Sequence, residues 1–265
     1  MSPVTLDPAD LLARFDLMRQ SVDGDGAPTE RDGVVTRIDY PHNGFVAAPA
    51  DTGLRGADLD ALITRQRDHF LALGRSVEWK TYGYDQPTDL TARLEAAGFV
   101  AEEPETVVVG SVAALADLPT DVPGVTIRET TDSADFAAIG ELQTEVWGED
   151  WAWVADDLRE STDRLGPDGY RVLVAEVDGR LVSAAWLVMR PGSEFAGLWG
   201  GSTLETYRGR GIYRALVARR AAIARAAGYA YLQVDASDDS RPILERLGFV
   251  ALTTTTPYVH PAPTT

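Results

Sequence analysis

The sequence contains no cysteine and only three histidines. Without cysteine there is no disulfide, no thiolate metal ligand and no cysteine nucleophile. The histidines, His42, His69 and His260, are scattered without ligand or triad spacing, so neither a zinc site nor a His-based triad is expected. No apolar run reaches membrane-spanning length, and the acidic opening with Asp7, Asp10 and Asp16 is unlike a signal peptide. Cations are scarce as well. The 24 Lys and Arg face 41 Asp and Glu, for a formal net charge of −17, which argues against a general nucleic-acid-binding face. The expectation is therefore a cytoplasmic protein with neither a nucleic-acid nor a membrane partner.

What remains is ordinary globular material, 45% hydrophobic and 25% charged. A chain of 265 residues can hold one large domain or two of common size, each with its own core. Against the acidic background one stretch stands out. Arg208, Arg210, Arg214, Arg219, Arg220 and Arg225 fall between Tyr207 and Ala226 with no acidic residue among them. Such a cationic island suits a bound polyanion, although a solvated Arg-rich helix face is the plainer reading. Gly209 and Gly211 sharpen it, because they sit where an apolar, strand-like run (196–204) turns into a long Ala/Arg-rich helical run ending near Gly228. That turn aims free backbone N–H groups and the positive end of a helix dipole at one spot, a cradle for phosphate or pyrophosphate.

The periodicities predict, in order, an amphipathic helix over 6–21, a loop over 21–32, short strands at 34–38 and 45–48, and a helix over 58–73. A strand at 77–82, a helix at 88–97 and a strand at 106–109 follow. The proline-containing segment 118–123 reads as a linker, dividing the chain into domains 1–117 and 122–265. In the second domain a strand at 125–127 precedes helices at 132–147 and 151–165. Strands at 170–177 and 180–189 are joined by Asp178-Gly179, a hairpin signal. The strand before the glycine loop, the long helix, and strand, helix and strand at 230–234, 238–247 and 249–259 complete a β-α-α-β-β-β-α-β-α-β order. That is an α/β (α+β) arrangement on a mixed sheet.

The halves share an internal repeat. The run from Leu94 to Ala101 (LEAAGFVA) aligns with that from Leu244 to Ala251 (LERLGFVA), each preceded by a helix ending in glycine (Gly74, Gly228) and a strand. Gly-Phe after a helix also has a local cause, since Gly caps the helix and Phe starts a core strand. In the first copy the nearest counterpart of the glycine loop is Gly53-Leu54-Arg55-Gly56, without an Arg cluster, which marks that copy as degenerate.

Arg208-Gly209-Arg210-Gly211-Ile212, followed one strand and one helix later by Leu247-Gly248-Phe249, resembles the GCN5-related N-acetyltransferase (GNAT) family, whose loop is written Q/R-x-x-G-x-G/A. Tyr213 occupies the last position in place of Gly or Ala. The resemblance covers residues 122–259, and the N-terminal half is similar to a truncated copy of the same fold. It implies two GNAT-like mixed-sheet units, with the second a catalytic acyl-CoA N-acyltransferase using acetyl-CoA. By the same resemblance, Arg208, Gly209, Arg210, Gly211, Ile212 and Tyr213 would hold the CoA pyrophosphate. Thr203 and Leu204 would pair with the pantetheine arm, and Ser237 stands where the family often has a cofactor-side asparagine.

The reaction implied is direct attack of a small-molecule primary amine on the thioester in a ternary complex. The family meets the acyl oxygen with a backbone N–H on the strand before the loop, for which Leu204 is the matching position. Glu205, Glu149 and Asp150 are the base candidates, each equally readable as a surface carboxylate. The usual acid is a tyrosine five residues before Phe249, and Leu244 stands there; Tyr213, Ser237 or Tyr258 are possible substitutes. Trp147, Trp151 and Trp153 cluster at the break between the first two helices of this domain, with Trp199 nearby. They read either as core packing or as the aromatic wall of a site for a cationic amine. A CoA-binding pseudoenzyme serving as sensor or scaffold is the alternative to catalysis. For assembly the two copies suggest a monomeric pseudo-dimer or a homodimer.

Overall fold

The computed structural model describes residues 7–20, 24–40 and 43–263. His42 and the expected ends of the first helix at Leu6 and Ser21 lie outside them. The chain begins with α1 (Pro8–Gln20), β1 (Thr29–Asp32), β2 (Val35–Asp39), β3 (Gly44–Ala47), α2 (Gly56–Ala72) and β4 (Val77–Tyr82). Next come α3 (Leu90–Ala96), β5 (Val100–Ala101), β6 (Glu105–Ser111) and the one-turn α4 (Val112–Leu115). The remainder is β7 (Thr126–Thr130), α5 (Ser133–Trp147), α6 (Val154–Gly169), β8 (Tyr170–Val177), β9 (Arg180–Met189) and β10 (Phe195–Thr203). It closes with α7 (Ile212–Ala226), β11 (Tyr231–Ala236), α8 (Arg241–Arg246) and β12 (Val250–His260). The element order of the second half is the expected one.

Two local readings change. Residues 29–32 form a strand where a loop was expected, because Thr29, Glu30, Arg31 and Asp32 carry no apolar alternation and are recruited by pairing along β2. The second helix of the later domain runs on to Gly169, with a kink at Gly166 (φ +63°) before Pro167.

By their contacts the residues fall into two compact units, divided differently from the 117/122 boundary. One comprises Asp7–Val108, Asp235–Ile243 and the residues from Ala251 on; the other comprises Val109–Val234 and Leu244–Val250. The physical reason is the last strand. β12 pairs antiparallel with β4, Thr255 opposite Tyr82 through His260 opposite Val77. Thr255 Oγ1 donates to Thr81 O (2.9 Å) and Thr81 Oγ1 to Thr256 O (3.0 Å), reinforcing the ladder from the side chains.

In the first unit β1, β2 and β3 form an antiparallel meander and β3 pairs parallel with β4. The crossover helix α2 buries Leu59, Leu62, Ile63, Gln66 and Phe70 at helical spacing, and its apolar members pack on Val35, Val46, Val77 and Trp79. The Phe70 ring occupies the space of an absent Gly44 side chain, 2.2 Å from where its β-carbon would stand.

The second unit repeats that plan with longer strands. β7, β8, β9 and β10 are antiparallel neighbours, and β10 pairs parallel with β11 across the α7 crossover. Phe136 and Ile139 of α5 and Val154 and Leu158 of α6 pack on Val172, Val174, Ala184 and Val188. Ile212 and Leu216 of α7 join Leu142, Leu173, Val182, Ala185 and Leu204 in a further cluster. The two Gly-Phe corners are built alike. Phe99 N–H donates to Leu94 O at 3.0 Å and Phe249 N–H to Leu244 O at 3.1 Å, with Gly98 (φ +91°) and Gly248 (φ +97°) left-handed between them.

Candidate active site

The parallel ladder between β10 and β11 covers only three pairs, Phe195–Tyr231, Ala196–Leu232 and Gly197–Gln233. β10 then continues to Thr203 bonded to β9 alone among the registered pairs. Beyond Thr203 a 3-10 turn (Glu205–Tyr207) leads into the glycine loop and α7. Gly209 (φ +74°) and Gly211 (φ +86°) are left-handed, a conformation L side chains rarely adopt. Gly211 is the N-cap of α7 and no side chain caps the helix. Among the described residues no protein acceptor meets the N–H groups of residues 209–213. These unpaired donors, the helix dipole and the exposed Arg208, Arg210 and Arg214 make an arrangement, chiefly of backbone, with the chemistry to hold an anion. Ile212, buried in the core, anchors the first turn of the helix. Arg210 stacks over the Tyr207 ring at 5.4 Å.

The cationic island is smaller than its sequence. Arg208 Nε donates to Thr203 O at 3.1 Å. Arg225 pairs with Asp117 at 2.8 Å, and Arg220 is buried, only 1% exposed.

The first unit's loop is built oppositely. Asp51 Oδ1 accepts from Gly53 N–H (2.8 Å), and its two oxygens take both terminal nitrogens of Arg55 (2.9 Å each). Arg55 and then the Gly53 amide hold the Asp51 carboxyl down at about 2. A carboxylate of the chain itself thus stands where an anion would be held.

Leu204 requires a correction. Its side chain is 2% exposed within the core, and its N–H donates to Val182 O at 3.0 Å, so that donor is not available to an acyl oxygen. The irregular backbone lies three residues earlier. Trp199 opposes Trp186 and Ser202 opposes Ala184, so Gly200 and Gly201 together face Ala185 in a β-bulge. Gly200 is left-handed (φ +61°), and a β-carbon there would stand 2.0 Å from the Trp186 ring. The Gly200-Gly201 pair inside an apolar strand was the signal for this bulge, and the sequence reading passed over it. Thr203 sits beside it, its Oγ1 2.8 Å from Ser183 Oγ, which donates to Ser202 O at 2.6 Å.

Among the carboxylates, Glu205 and Glu145 line a pocket of about 300 Å³ together with Val146, Leu204, Thr206 and Arg208. Glu145 was missed by sequence reasoning, since it is one of several acidic residues along α5; it also pairs with Arg180 at 3.1 Å. Glu149 and Asp150 are exposed and do not line this pocket. Asp150 Oδ1 instead accepts from Ala152 N–H at 2.9 Å, a turn-forming role.

Trp147, Trp151 and Trp153 form a contiguous cluster of tilted rings, with centroids 4.7 Å and 5.4 Å apart. Trp147 (46%) and Trp153 (50%) are too exposed for core packing, while Trp151 packs partly against the α5–α6 core. Trp199, 43% exposed, folds back over Gly197.

Of the possible proton donors, Leu244 is fully buried and Tyr258 belongs to the core of the first unit. Ser237 lies in the turn before α8, with its hydroxyl on Ser240. Tyr213 is half-buried with its ring against Gly201, and desolvation pushes its phenol up. Among the described residues no cluster of His, Asp or Glu has the makings of a metal site, and no helix is long and apolar enough to cross a membrane.

The short β10/β11 ladder and the glycine loop between strand and helix both lie within the stretch that sequence comparison recognises. Residues 136–249 match the acetyltransferase (GNAT) family, so this stretch, from α5 to the start of β12, is a GNAT-family domain. No curated protein matches the chain. Among solved structures it is similar to a GCN5-related N-acetyltransferase from Kribbella flavida, at 16% identity and a TM-score of 0.70 over 97% of this chain and 96% of that one. It is also similar to a functionally unknown conserved protein from Staphylococcus epidermidis (15%, TM-score 0.67, 93% and 100%). A third likeness is to a tandem GNAT protein from the clavulanic acid biosynthesis pathway (16%, TM-score 0.61, 94% and 88%). At these identities the likeness is one of fold.

Proposed function

We propose that the chain transfers an acetyl group from acetyl-CoA to the primary amine of a small molecule, by direct attack in a ternary complex. The observation that carries this reading is the row of unmet N–H groups at residues 209–213 beside the open end of the β10/β11 pair. An acyl-CoA supplies the activated acyl group, and this cradle fits its diphosphate. The donors are free, Gly209 leaves open space, Gly211 has only the Arg214 guanidinium at 3.6 Å from its β-carbon position, and residues 206–214 carry no acidic side chain.

In this reading the N–H groups of residues 209–213 hold the diphosphate, and Arg208, Arg210 and Arg214 add attraction. β10 beyond Gly197 offers its unpaired edge to the amides of the pantetheine arm, as an added strand would use it. The bulge at Gly200-Gly201 supplies the N–H for the charge developing on the acyl oxygen, the role first expected of Leu204. Glu205, or Glu145 once released from Arg180, takes the proton from the amine, directly or through water. Leu244 donates nothing, so the thiolate leaves without a protein acid or takes the proton of Tyr213. The Trp147, Trp151 and Trp153 cluster, with Glu149 and Asp150 next to it in sequence, presents rings and negative charge suited to a cationic acceptor.

Isothermal calorimetry with acetyl-CoA, followed by turnover against an amine panel, tests this reading. Micromolar binding with thiol release on at least one amine is the expected result; absence of binding would refute it. The buried Leu244 favours a second reading, a CoA-binding pseudoenzyme, which predicts binding with no turnover on any amine.

A further inference from the structure

Among the described residues of the second unit, Arg220 is the one fully buried side chain whose charge has no carboxylate near it. Its Nε donates to Leu216 O of its own helix at 3.2 Å. Its Nη1 reaches Trp186 O at 3.1 Å and Trp199 O at 3.4 Å, while Nη2 has no partner among the described residues. Burial lowers its pKa to about 10, with the Tyr213 phenol as the opposing influence. A buried, incompletely bonded guanidinium is costly, and an apolar side chain of similar length would satisfy packing at least as well. Stability therefore does not account for it.

Its partners do. Trp186 and Trp199 are the last registered pair before the bulge. In a planar trans peptide the C=O and the following N–H point in opposite directions, so holding Trp199 O fixes the direction of Gly200 N–H. From α5, Gln143 Nε2 makes a long 3.5 Å contact with Gly200 O, which orients Gly201 N–H by the same rule. Successive carbonyls of the bulge are thus held by buried side chains from two different helices.

We propose that Arg220, assisted by Gln143, is a positioning residue that aims the Gly200 and Gly201 N–H groups at the acyl oxygen. This rests on the acyl-transfer reading above. It acts through the backbone and touches no reacting atom.

The test compares wild type, Arg220→Met and Arg220→Lys by thermal melting, calorimetry with CoA, steady-state kinetics and ¹H–¹⁵N spectra. The probe is an acetyl-CoA analogue with methylene in place of sulfur. Expected for Arg220→Met are CoA affinity and donor KM within about threefold of wild type and kcat at least tenfold lower, with Arg220→Lys between the two. The Gly200 and Gly201 amide shifts that distinguish analogue from CoA should appear in wild type and vanish in Arg220→Met. A folded Arg220→Met with kcat within twofold, or with those shifts intact, overturns the proposal. Should Arg220→Met not fold, the wild-type Arg220 Nε–H resonance decides: it must respond to the analogue, and silence there while residues 209–213 respond overturns it too. Failure of the loop amides to respond to CoA at all would instead refute the acyl-transfer reading.

Discussion

Tyr213 Cε2 lies 2.7 Å from where a β-carbon on Gly201 would stand, so one large ring and one missing side chain share a single space. The family loop carries Gly or Ala where this chain carries Tyr213, and Gly201 accommodates the extra bulk at the bulge. Gly201→Ala should therefore destabilise the protein by about 1–3 kcal/mol through overpacking. Tyr213→Ala in that background should recover part of the loss. Urea unfolding of the double-mutant cycle measures the coupling; simple additivity of the two changes would show that the residues do not share the space.

Gly211 is left-handed and caps α7 with its own backbone. A glutamate there strains the turn and brings like charge to the diphosphate. Gly211→Glu is expected to weaken CoA binding at least tenfold in calorimetry while the melting temperature moves by only a few degrees. Equal affinity in both proteins would remove the loop from the binding site.

Asp51 already fills the first unit's loop, held by Gly53 and Arg55. The expected stoichiometry is therefore one CoA per chain, and Gly211→Glu should leave no residual site. Titration to a ratio of two would contradict this account of the first unit.

Glu105 sits partly buried near Glu78, Glu102 and Asp235, with Lys80 as the opposing charge, and burial raises its carboxyl to about 7. The native state then binds this proton more readily than the unfolded chain, whose value is 4.5. Stability from this group is thus full below pH 4.5 and is lost as pH rises through 7. Glu105→Gln should be more stable than wild type at pH 8, by about 1 kcal/mol after allowing for partial exposure, and not at pH 5. Urea midpoints at the two pH values check it; an identical difference at both would exclude this titration.

Leu244 is fully buried at the α8 corner. Introducing the family's tyrosine there should overpack the site, costing about 1–3 kcal/mol, without raising kcat. An increase in turnover from Leu244→Tyr would mean that the position does face the reacting sulfur.

Much of this was legible without coordinates, for physical reasons that can be named. The alternation of 170–177 and 180–189 and the Asp178-Gly179 turn are local signals, and both strands form where they were read. So are Gly209 and Gly211, whose left-handed backbone follows from needing no side chain. The LEAAGFVA and LERLGFVA runs fold into matching capped corners because Gly and Phe act within a few residues of each other. β1 was not legible, since an exposed polar strand carries no apolar period of its own.

The sequence by itself determined most of the helices and strands, the repeat and the glycine turn, because each depends on interactions a few residues apart. Only the tertiary structure decided that Arg220 is buried against the carbonyls of Trp186 and Trp199 while its neighbours in the Arg run face solvent. It alone showed that the Leu204 N–H is taken by Val182, that the bulge lies at Gly200-Gly201, and that β12 pairs with β4. These outcomes join residues far apart in the chain through hydrogen bonds whose partners no local pattern encodes. The glycine loop was readable from local signals; where the strand before it bulges was settled by packing.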